Sequence, residues 1–326
     1  MNRASNGSVG HGNNTVTWSP WLVLSLAIPQ MGINVISIFC NCLVIFSTVS
    51  PRRLHKPIFI LFGSLALSDL LSSVSSFWVA LLFISEPENS VYGSRELLYP
   101  YAILATSTLS TAYNLIGIGV ERYLTMMPNC LRPRCRISRY QTWAMAITGW
   151  LLAALFGGLP LMGWNCLDEE ATSSALYRPL CIDYLVFITI PNCVVTFVSL
   201  FFTYVSIIVI LKRQKCIIAA QGHVSNRYRA AETQVTRTSV IIWVMTVVSY
   251  APFFSGVLWD ALDHSHLRDL QIHVFILRNV TAIMITLNSL VNPMVYCHRL
   301  KGLGTFVGSF KCHFSKRIHV RTVKTV

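Results

Sequence analysis

A glutamate and an arginine stand side by side at the end of a long apolar segment, in the stretch GIGVERYLTMM at positions 117–127. Arg122 cannot lose its proton, so its charge needs acidic or aqueous partners wherever the fold places it. Glu121 is adjacent, and Glu232 is an acid within a later segment rich in Lys and Arg. These residue types offer an ion pair that can form and break. The plainer interpretation is an arginine that extends its side chain to water at a helix end.

A second group of polar residues centres on one acid. Asp69, in LALSDLL, is the only acid well inside an apolar segment, where ionisable groups are costly and indicate function. Amide and hydroxyl groups occur in three other apolar segments, at Asn41, Thr111, Asn288, Ser289 and Asn292. With water, such a cluster can hold a sodium ion or a proton. It can equally be a hydrogen-bonded network that joins helices, and the residue types leave both interpretations open.

The elements that position these residues are long apolar blocks. The chain is 53% hydrophobic, and seven blocks each hold roughly 20 or more mostly apolar residues. They cover about 24–48, 58–84, 98–126, 141–162, 184–211, 235–258 and 272–297. Only helices and closed barrels satisfy their backbone groups in a bilayer, and these blocks are far too long for barrel strands. We therefore predict an all-α membrane protein, a bundle of seven transmembrane helices.

The distribution of Lys and Arg predicts the orientation of the bundle. Basic residues cluster after the first, third, fifth and seventh blocks, for example at Arg53, Arg134, Lys215 and Lys311, so these segments are predicted to be cytoplasmic. The N-terminus is then extracellular, and its two glycosylation sequons, at Asn6 and Asn13, agree with that placement. Topology and attraction to the anionic inner leaflet explain the net charge of +13 without nucleic acid.

Three regions are expected along the chain: a glycosylated extracellular tail at 1–23, the bundle at 24–299, and a cytoplasmic amphipathic helix with a short basic tail at 300–326. Cys312 in the last region is a candidate for palmitoylation, with a free thiol as the alternative. Of the ten cysteines, only Cys166 and Cys181 fall in a predicted extracellular loop. Because that side of the membrane permits disulfides, we expect these two to pair.

Seven short motifs, one on each predicted helix, carry a resemblance to a known family. They are Asn41 in CNCLV, Asp69 in LALSDLL, Glu121-Arg122-Tyr123, Trp150, Tyr204, Pro252, and Asn292, Pro293 and Tyr296 in NPMVY. With them, the chain resembles a rhodopsin-like (class A) G-protein-coupled receptor from its first helix to its C-terminal amphipathic segment. The resemblance implies that Glu121 and Glu232 hold Arg122 at rest. It also implies that Arg122 is released on activation to admit a heterotrimeric G protein, with Tyr123, Tyr204 and the NPMVY residues in the same switch.

Within that family, the pattern is similar to the lysophospholipid and cannabinoid receptors. GWNC at 163–166 together with Cys181, no cysteine near the start of the third helix and no proline near Thr196 are features of that cluster. LHKPIFI followed by LALSDLL also resembles sphingosine-phosphate and melanocortin receptors. In such receptors the disulfide closes within the second extracellular loop.

Differences from those relatives restrict the classes of ligand that the chain is expected to bind. Lysophospholipid receptors grip phosphate with a basic residue and its neighbour at the top of the third helix, where this chain has Pro100 and Tyr101. Melanocortin receptors place acids at positions that are Val79, Leu97 and Tyr101 here. Leu104 stands in the place of the amine-binding aspartate and Thr286 in that of the retinal lysine, which argues against monoamines and covalent retinal.

The resemblance implies a largely apolar pocket, as a lipid or another hydrophobic ligand would need. Its expected lining is Tyr101, Leu104, Ala105, Thr108, Phe187, Tyr250, Phe253, Phe254 and Met284. Ordinary packing is the alternative for each of them. Arg278, at the outer end of the seventh helix, is the one cation placed to meet an anionic headgroup. Extension of its side chain to the membrane surface is the alternative.

Two departures concern the switch itself. Tyr250 stands where a tryptophan is usual, two residues before Pro252, and Thr196, Ala112 and Thr246 replace a bulky triad that links the pocket to the G-protein side. Signal transmission must therefore use other contacts, or the coupling is weak.

The leading hypothesis is a plasma-membrane receptor that catalyses no reaction and needs no cofactor beyond the candidate sodium ion. A peptide receptor and a constitutively active orphan receptor are the alternatives within the class. A transporter or channel would need paired charges through the membrane, where only Asp69 is present. An intramembrane hydrolase would need metal ligands or a nucleophile with its base, and no HExxH or comparable set occurs.

Overall fold

The computed structural model describes residues 19–49, 57–126, 137–169, 172–174, 176–221, 226–262 and 272–299. The predictions for the glycosylation sites Asn6 and Asn13, for the amphipathic segment at 300–326 and for Cys312 lie outside these ranges. The side chains of Glu232 and Tyr296 are also outside the description, although their backbones belong to helices.

Seven long helices follow one another along the described chain and confirm the predicted bundle. They are α1 Pro20–Thr48, α2 Pro57–Ser85, α3 Arg95–Met126, α4 Arg139–Gly157, α5 Ile190–Gln221, α6 Asn226–Leu262 and α7 Ile272–Arg299. The end of the bundle at which α1 begins is called the outer end below, and the opposite end the inner end. The inner ends of α5 and α6 run past the predicted blocks because polar and basic turns there continue the helix beyond its apolar part.

Short elements at the outer end connect the long helices. A helix at Pro87–Tyr92 precedes α3, and a 3-10 turn at Leu159–Met162 follows α4. One helical turn at Ile182–Tyr184 and a π-helical turn at Leu185–Thr189 lead into α5. In the ranges that the structure covers, the only pairing of extended chain is an isolated β-bridge between Ser173 and Cys181.

Six of the seven helices, all but α4, are long and apolar enough to cross a membrane. α4 is shorter, and its first turn carries Arg139, Tyr140 and Gln141, which lower its mean hydropathy. Ser138 begins α4 with a capping box, in which its hydroxyl accepts from the Gln141 amide and the Gln141 side chain accepts from the Ser138 amide. Large apolar side chains such as Phe39 and Phe202 are exposed on the outside of the bundle, as a lipid environment requires.

Helix α3 lies at the centre of the bundle. It packs against α2, α4, α5 and α6, while α1 packs against α2 and α7, and α6 against α7. At Gly157 the α4 backbone comes so close to α3 that a Cβ atom would collide with the backbone of Thr106. A residue without a side chain is therefore what brings the two helices into contact at this crossing.

The buried apolar side chains form two main clusters, one toward each end. The outer cluster includes Leu97, Tyr101, Leu176, Tyr177 and Phe253. The inner cluster includes Val44, Phe62, Leu115, Tyr204 and Ile242. Polar residues around Asp69 are buried as well, so the bundle core is divided along its length.

Candidate functional site

Arg278 of α7 turns inward at the outer end of the bundle. Only 8% of its surface is exposed. Its guanidinium donates to the carbonyl oxygens of Ser90, at 3.2 Å, and Val91, at 3.3 Å, and to the hydroxyl of Tyr101. The alternative prediction, that the Arg278 side chain extends to the membrane surface, is wrong, because these acceptors on the Pro87–Tyr92 helix and on α3 hold it inside.

The partners of Arg278 are all neutral. In the described ranges, no carboxylate oxygen lies within 4.0 Å of its guanidinium. Its carbon atom Cζ lies 5.9 Å from the centre of the Tyr101 ring, which adds a weak attraction to the ring face. Among the described residues, the buried positive charge of Arg278 is therefore solvated by dipoles and is not cancelled by an acid.

Arg278 lines the outer of two adjacent cavities. Polar residues contribute to its wall, among them Gln30, Ser76, Ser90 and Asn279. The inner cavity is more apolar and is lined by Ala105, Thr108, Leu180, Leu185, Thr189, Phe253 and Ile285. Tyr101, Leu104 and Tyr177 line both cavities and stand between them. Their volumes are about 50 and 30 Å³, enough for a few water molecules, so a larger ligand must spread the surrounding side chains.

The structure brings most of the predicted pocket residues together. Tyr101, Leu104, Ala105, Thr108 and Phe253 line one or both cavities. Tyr250 is buried and stacks on Phe254, with ring centres 6.2 Å apart, and Phe254 packs against the outer cluster just behind the lining.

Four predicted pocket residues line neither cavity, and two of them, Phe187 and Met284, are also outside the outer cluster. Phe187 is 65% exposed and faces out of the bundle, because it lies in the π-helical turn on the side opposite Leu185 and Thr189, which face inward. Met284 is half-buried on α7 and is absent from both linings, whereas its neighbour Ile285 is part of one. These two placements were wrong because the sequence does not fix how each helix is rotated about its axis.

The loop between α4 and α5 inserts into the bundle, which the sequence did not predict. The expected disulfide between Cys166 and Cys181 is present and closes this loop. Ser174 donates to Asp260 of α6 at 3.0 Å, and its hydroxyl accepts from the amide of Leu176. Leu176 then packs at Gly256 of α6, where a Cβ atom would collide with it.

Tyr177 is the deepest residue of the inserted loop. Its ring makes edge contacts with Tyr101 and Phe253, at centre distances of 5.6 and 5.0 Å, and its hydroxyl is 3.3 Å from Thr281 Oγ1. Burial raises the pKa of the Tyr177 phenol, so the hydroxyl stays neutral. A sequence signal for this insertion is the apolar and aromatic pair Leu176-Tyr177, which follows the polar stretch DEEATSS at 168–174.

The polar cluster around Asp69 is assembled from five helices. Asn292 of α7 donates to Asp69 Oδ2 at 2.8 Å, and Ser289 hydrogen-bonds the same carboxylate. Asn41 of α1 donates to the backbone oxygen of Ser289 at 3.0 Å. Thr111 and Asn288 do not reach the carboxylate directly. Thr111 bonds Ser68 of α2 at 3.0 Å, and Asn288 accepts from Thr246 of α6 at 3.2 Å.

The side-chain oxygens of Asn41 and Asn292 are buried and have no hydrogen-bond partner among the described residues. Free oxygens beside a carboxylate are ligands that a sodium ion prefers. The residues present therefore fit such an ion, and they fit a bridging water equally well.

At the inner end, the buried guanidinium of Arg122 forms an ion pair with the carboxylate of Glu121. Thr125, one turn further along α3, donates to the other oxygen of Glu121 at 3.2 Å. Tyr204 of α5 is buried and packs on Trp243 of α6 at a ring distance of 5.8 Å. Tyr123 packs against the inner cluster, and Pro293 lies inside α7 next to Asn292.

Comparison with known proteins shows the class of protein to which this chain belongs. Residues 40–296 match the model of the seven-transmembrane receptors of the rhodopsin family, so the chain belongs to that family, whose members are receptors and not enzymes. Over 261 residues it is 26% identical to lysophosphatidic acid receptor 3 of Rattus norvegicus, covering 80% of this chain and 71% of the relative. Over 278 residues it is 25% identical to the Homo sapiens receptor of that name, covering 85% and 76%. Sphingosine 1-phosphate receptor 1 of Danio rerio is 25% identical over 259 residues, covering 78% and 69%.

Proposed function

We propose that this protein is a plasma-membrane receptor for a lipid with an anionic headgroup, and that it signals through a heterotrimeric G protein. The single observation that carries the ligand class is the buried Arg278, whose described partners are all neutral and which lies on the wall of a cavity. The names of its relatives, receptors for lysophosphatidic acid and for sphingosine 1-phosphate, support the same ligand class.

The headgroup belongs in the outer cavity. A guanidinium has five N–H donors in a planar fork, and carbonyl and phenol acceptors do not neutralise its charge. A phosphate or carboxylate can bind two of these donors at once, and the ion pair is strong where water is excluded. Ser76, Gln30 and Asn279 on the same wall offer further hydrogen bonds to a polar headgroup. This arrangement replaces the grip at the top of the third helix, where Pro100 and Tyr101 carry no charge.

The lipid tail belongs in the inner cavity, which is lined mainly by apolar side chains. Leu180, Leu185, Phe253 and Ile285 supply most of this surface. To enter it from the outer cavity, a tail has to pass between Tyr101 and Tyr177, whose rings are in edge contact. Ligand binding therefore displaces Tyr177, and with it the loop that contacts α6. A ligand can shift the receptor between two packings only through such differential contacts.

The response at the inner end uses Arg122. In the resting packing Arg122 is paired with Glu121, and we propose that Glu232 of α6 is its second partner. Release of Arg122 would open the space between α3 and α6 to a G protein, with Tyr123, Tyr204, Asn292, Pro293 and Tyr296 repacking in the same step. The Asp69 cluster lies between the two ends of the bundle. A sodium ion, when bound there, would neutralise Asp69 and hold α2 to α7.

The ends of the chain complete the proposal. The tail at 1–23 would lie outside the cell with glycans on Asn6 and Asn13. The segment at 300–326 would lie as an amphipathic helix on the inner membrane surface, where Cys312 could carry a palmitoyl group.

The decisive experiment compares lipids that share one acyl chain and differ in the headgroup. G-protein nucleotide exchange would be measured on membranes with a lysophosphatidic acid, a fatty acid and the uncharged monoacylglycerol. The anionic lipids are expected to activate wild-type receptor and to lose about 10- to 100-fold in potency in Arg278→Gln, because a hydrogen-bonded charge is removed. Arg95→Gln, which removes an exposed arginine at the start of α3, is the matched control and should leave potency unchanged. Equal potency of the uncharged lipid would reject the proposal.

A second candidate, signalling without a ligand, is favoured by one observation. Leu176 and Tyr177 already fill the space between the helices that a ligand would use. In that case the loop itself stabilises the active packing. Tyr177→Ala would then lower basal nucleotide exchange, whereas in a ligand-dependent receptor it would leave basal exchange low and change only the response to lipid.

A further inference from the structure

A buried polar stripe on α1 touches the proposed lipid site only at its outermost residue, Gln30, and continues inward beyond that site. Gln30, Asn34, Ser37 and Asn41 recur at spacings of four, three and four residues, which keeps them on one face of the helix. All four are buried, and the last three have no exposed surface. At 1.5 Å per residue the stripe extends over about 16 Å, from the outer cavity to the level of Asp69.

Helix α2 presents a matching stripe. Asp69, Ser72, Ser73 and Ser76 are buried on its side toward the core. The hydroxyl oxygens of Ser37 and Ser73 are 2.7 Å apart, which sets the level of one antiparallel helix against the other. One turn further out, Asn34 on α1 therefore lies level with Ser76 on α2. Ser76 and Gln30 both line the outer cavity.

Asn34 has no protein partner at this level. It is 0% exposed, and neither its Oδ1 nor its Nδ2 atom makes a hydrogen bond with any residue that the structure describes. The hydroxyl of Ser72, 3% exposed, is also without a partner within the described ranges. Buried amides and hydroxyls are almost always hydrogen-bonded, and buried water commonly supplies about three such bonds where the protein does not.

We propose that Asn34 is the centre of an internal water site between α1 and α2, and that this water joins the outer cavity to the polar cluster at Asp69. Water fits because the surrounding groups are a neutral amide that both donates and accepts, and neutral hydroxyls. Toward the inner side the chain continues through Ser37, which accepts from Asn41 Nδ2 at 3.2 Å, and Asn41 reaches the backbone of Ser289. A change in hydrogen bonding at the outer cavity is then transmitted to the Asp69 cluster along α1, without involving the apolar cavity beside Tyr177.

The direction of the change in thermal stability tests the water site. Replacing a dry, unpartnered amide by an apolar side chain stabilises the fold, whereas replacing an amide that is hydrogen-bonded to water destabilises it. Full-length receptor in lipid nanodiscs would be heated, and its apparent Tm compared for wild type, Asn34→Leu and Ser72→Ala. If water binds there, both variants lower the Tm, Asn34→Leu by about 2–4 °C or more. The control is Ser75→Ala, since the Ser75 hydroxyl already bonds the backbone of Ser72 at 3.1 Å and should matter little. A higher Tm in Asn34→Leu overturns the proposal.

A second measurement decides the matter if a variant does not fold. An experimental map of the wild-type receptor that resolves ordered water should show a peak within hydrogen-bonding distance of both Asn34 side-chain atoms. Further peaks should lead from it to Ser73 and Ser76. A map in which protein atoms alone satisfy the Asn34 amide, or in which no ordered water lies beside it, would refute the site.

Discussion

Arg122 and Arg278 lie buried at opposite ends of the bundle, and they differ in what surrounds them. Arg122, at the inner end, is ion-paired with the adjacent Glu121. Arg278, at the outer end, contacts two carbonyl groups and a phenol, and no described carboxylate lies within 4.0 Å. A charge with an acid beside it is already neutralised, whereas a charge among neutral dipoles still attracts an anion. This difference is the basis for proposing that Arg122 is held and released during signalling and that Arg278 receives a ligand.

The largest effect is expected when the inner arginine is removed. Arg122→Ala should abolish or severely weaken G-protein activation, because the side chain that is released on activation is proposed to contact the G protein. Nucleotide exchange on membranes measures this, at surface expression matched to wild type. Normal coupling in this variant would mean that the two arginines do not differ in the way described.

The next largest effect is expected when an acidic partner of Arg122 is removed. Glu121→Gln removes the adjacent acid that pairs with Arg122, and Glu232→Ala removes the second acid proposed to hold it. Each pair of this kind is worth about 1–3 kcal/mol, so ligand-free nucleotide exchange should rise about five- to a hundredfold. Unchanged basal exchange in both variants, with intact ligand response, would show that no ion pair restrains the receptor.

A smaller effect concerns the buried acid between the two arginines. Asp69→Asn keeps the shape of the side chain but removes the charge that a sodium ion would need. Basal exchange in wild type should fall as sodium replaces a larger monovalent cation, by about fivefold or more if the coupling is typical, and the variant should lose this dependence. If wild type and variant respond alike to sodium, the Asp69 cluster only joins helices.

The smallest effect tests the neutral partners of the outer arginine. Tyr101→Phe removes one hydroxyl beside Arg278 while keeping the ring, so potency of an anionic lipid should change by only about 2- to 10-fold. Concentration–response curves for Tyr101→Phe and Arg278→Gln distinguish the contribution of the Arg278 charge to potency from that of the Tyr101 hydroxyl beside it. A loss in Tyr101→Phe as large as in Arg278→Gln would assign headgroup recognition to the phenol.

The sequence predicts the helices well because the membrane demands long apolar segments, and that demand does not depend on tertiary contacts. The Glu121–Arg122 pair was expected from the family resemblance and not from adjacency, because successive residues of a helix point in different directions. The direction of Arg278 was open from sequence, because inward and outward paths from a helix end are both compatible with its position. Phe187 and Met284 were misplaced for a related reason, since apolar residues cover both the lipid side and the core side of a membrane helix.

The loop was the least predictable part of the site. Its disulfide is predictable because both cysteines fall in a predicted extracellular loop, where disulfides can form. The path of the chain between Cys166 and Cys181 depends instead on where Leu176 and Tyr177 have space to pack. That space exists because α6 has a glycine at 256, a feature that no periodic pattern marks. Loops that insert into a bundle are specified by such individual gaps.

Because Leu176 lies against Gly256, a large molecule that binds the loop without entering the cavity is expected to act on α6. The loop is tied to the start of the α5 region by the disulfide at Cys181 and leans on α6 through Leu176. An antibody that binds the loop is therefore expected to alter its packing against α6, the helix whose other end includes Glu232. A loop-directed antibody fragment is accordingly expected to act as an allosteric modulator, raising or lowering basal nucleotide exchange according to whether it lifts Leu176 out of the gap or presses it in.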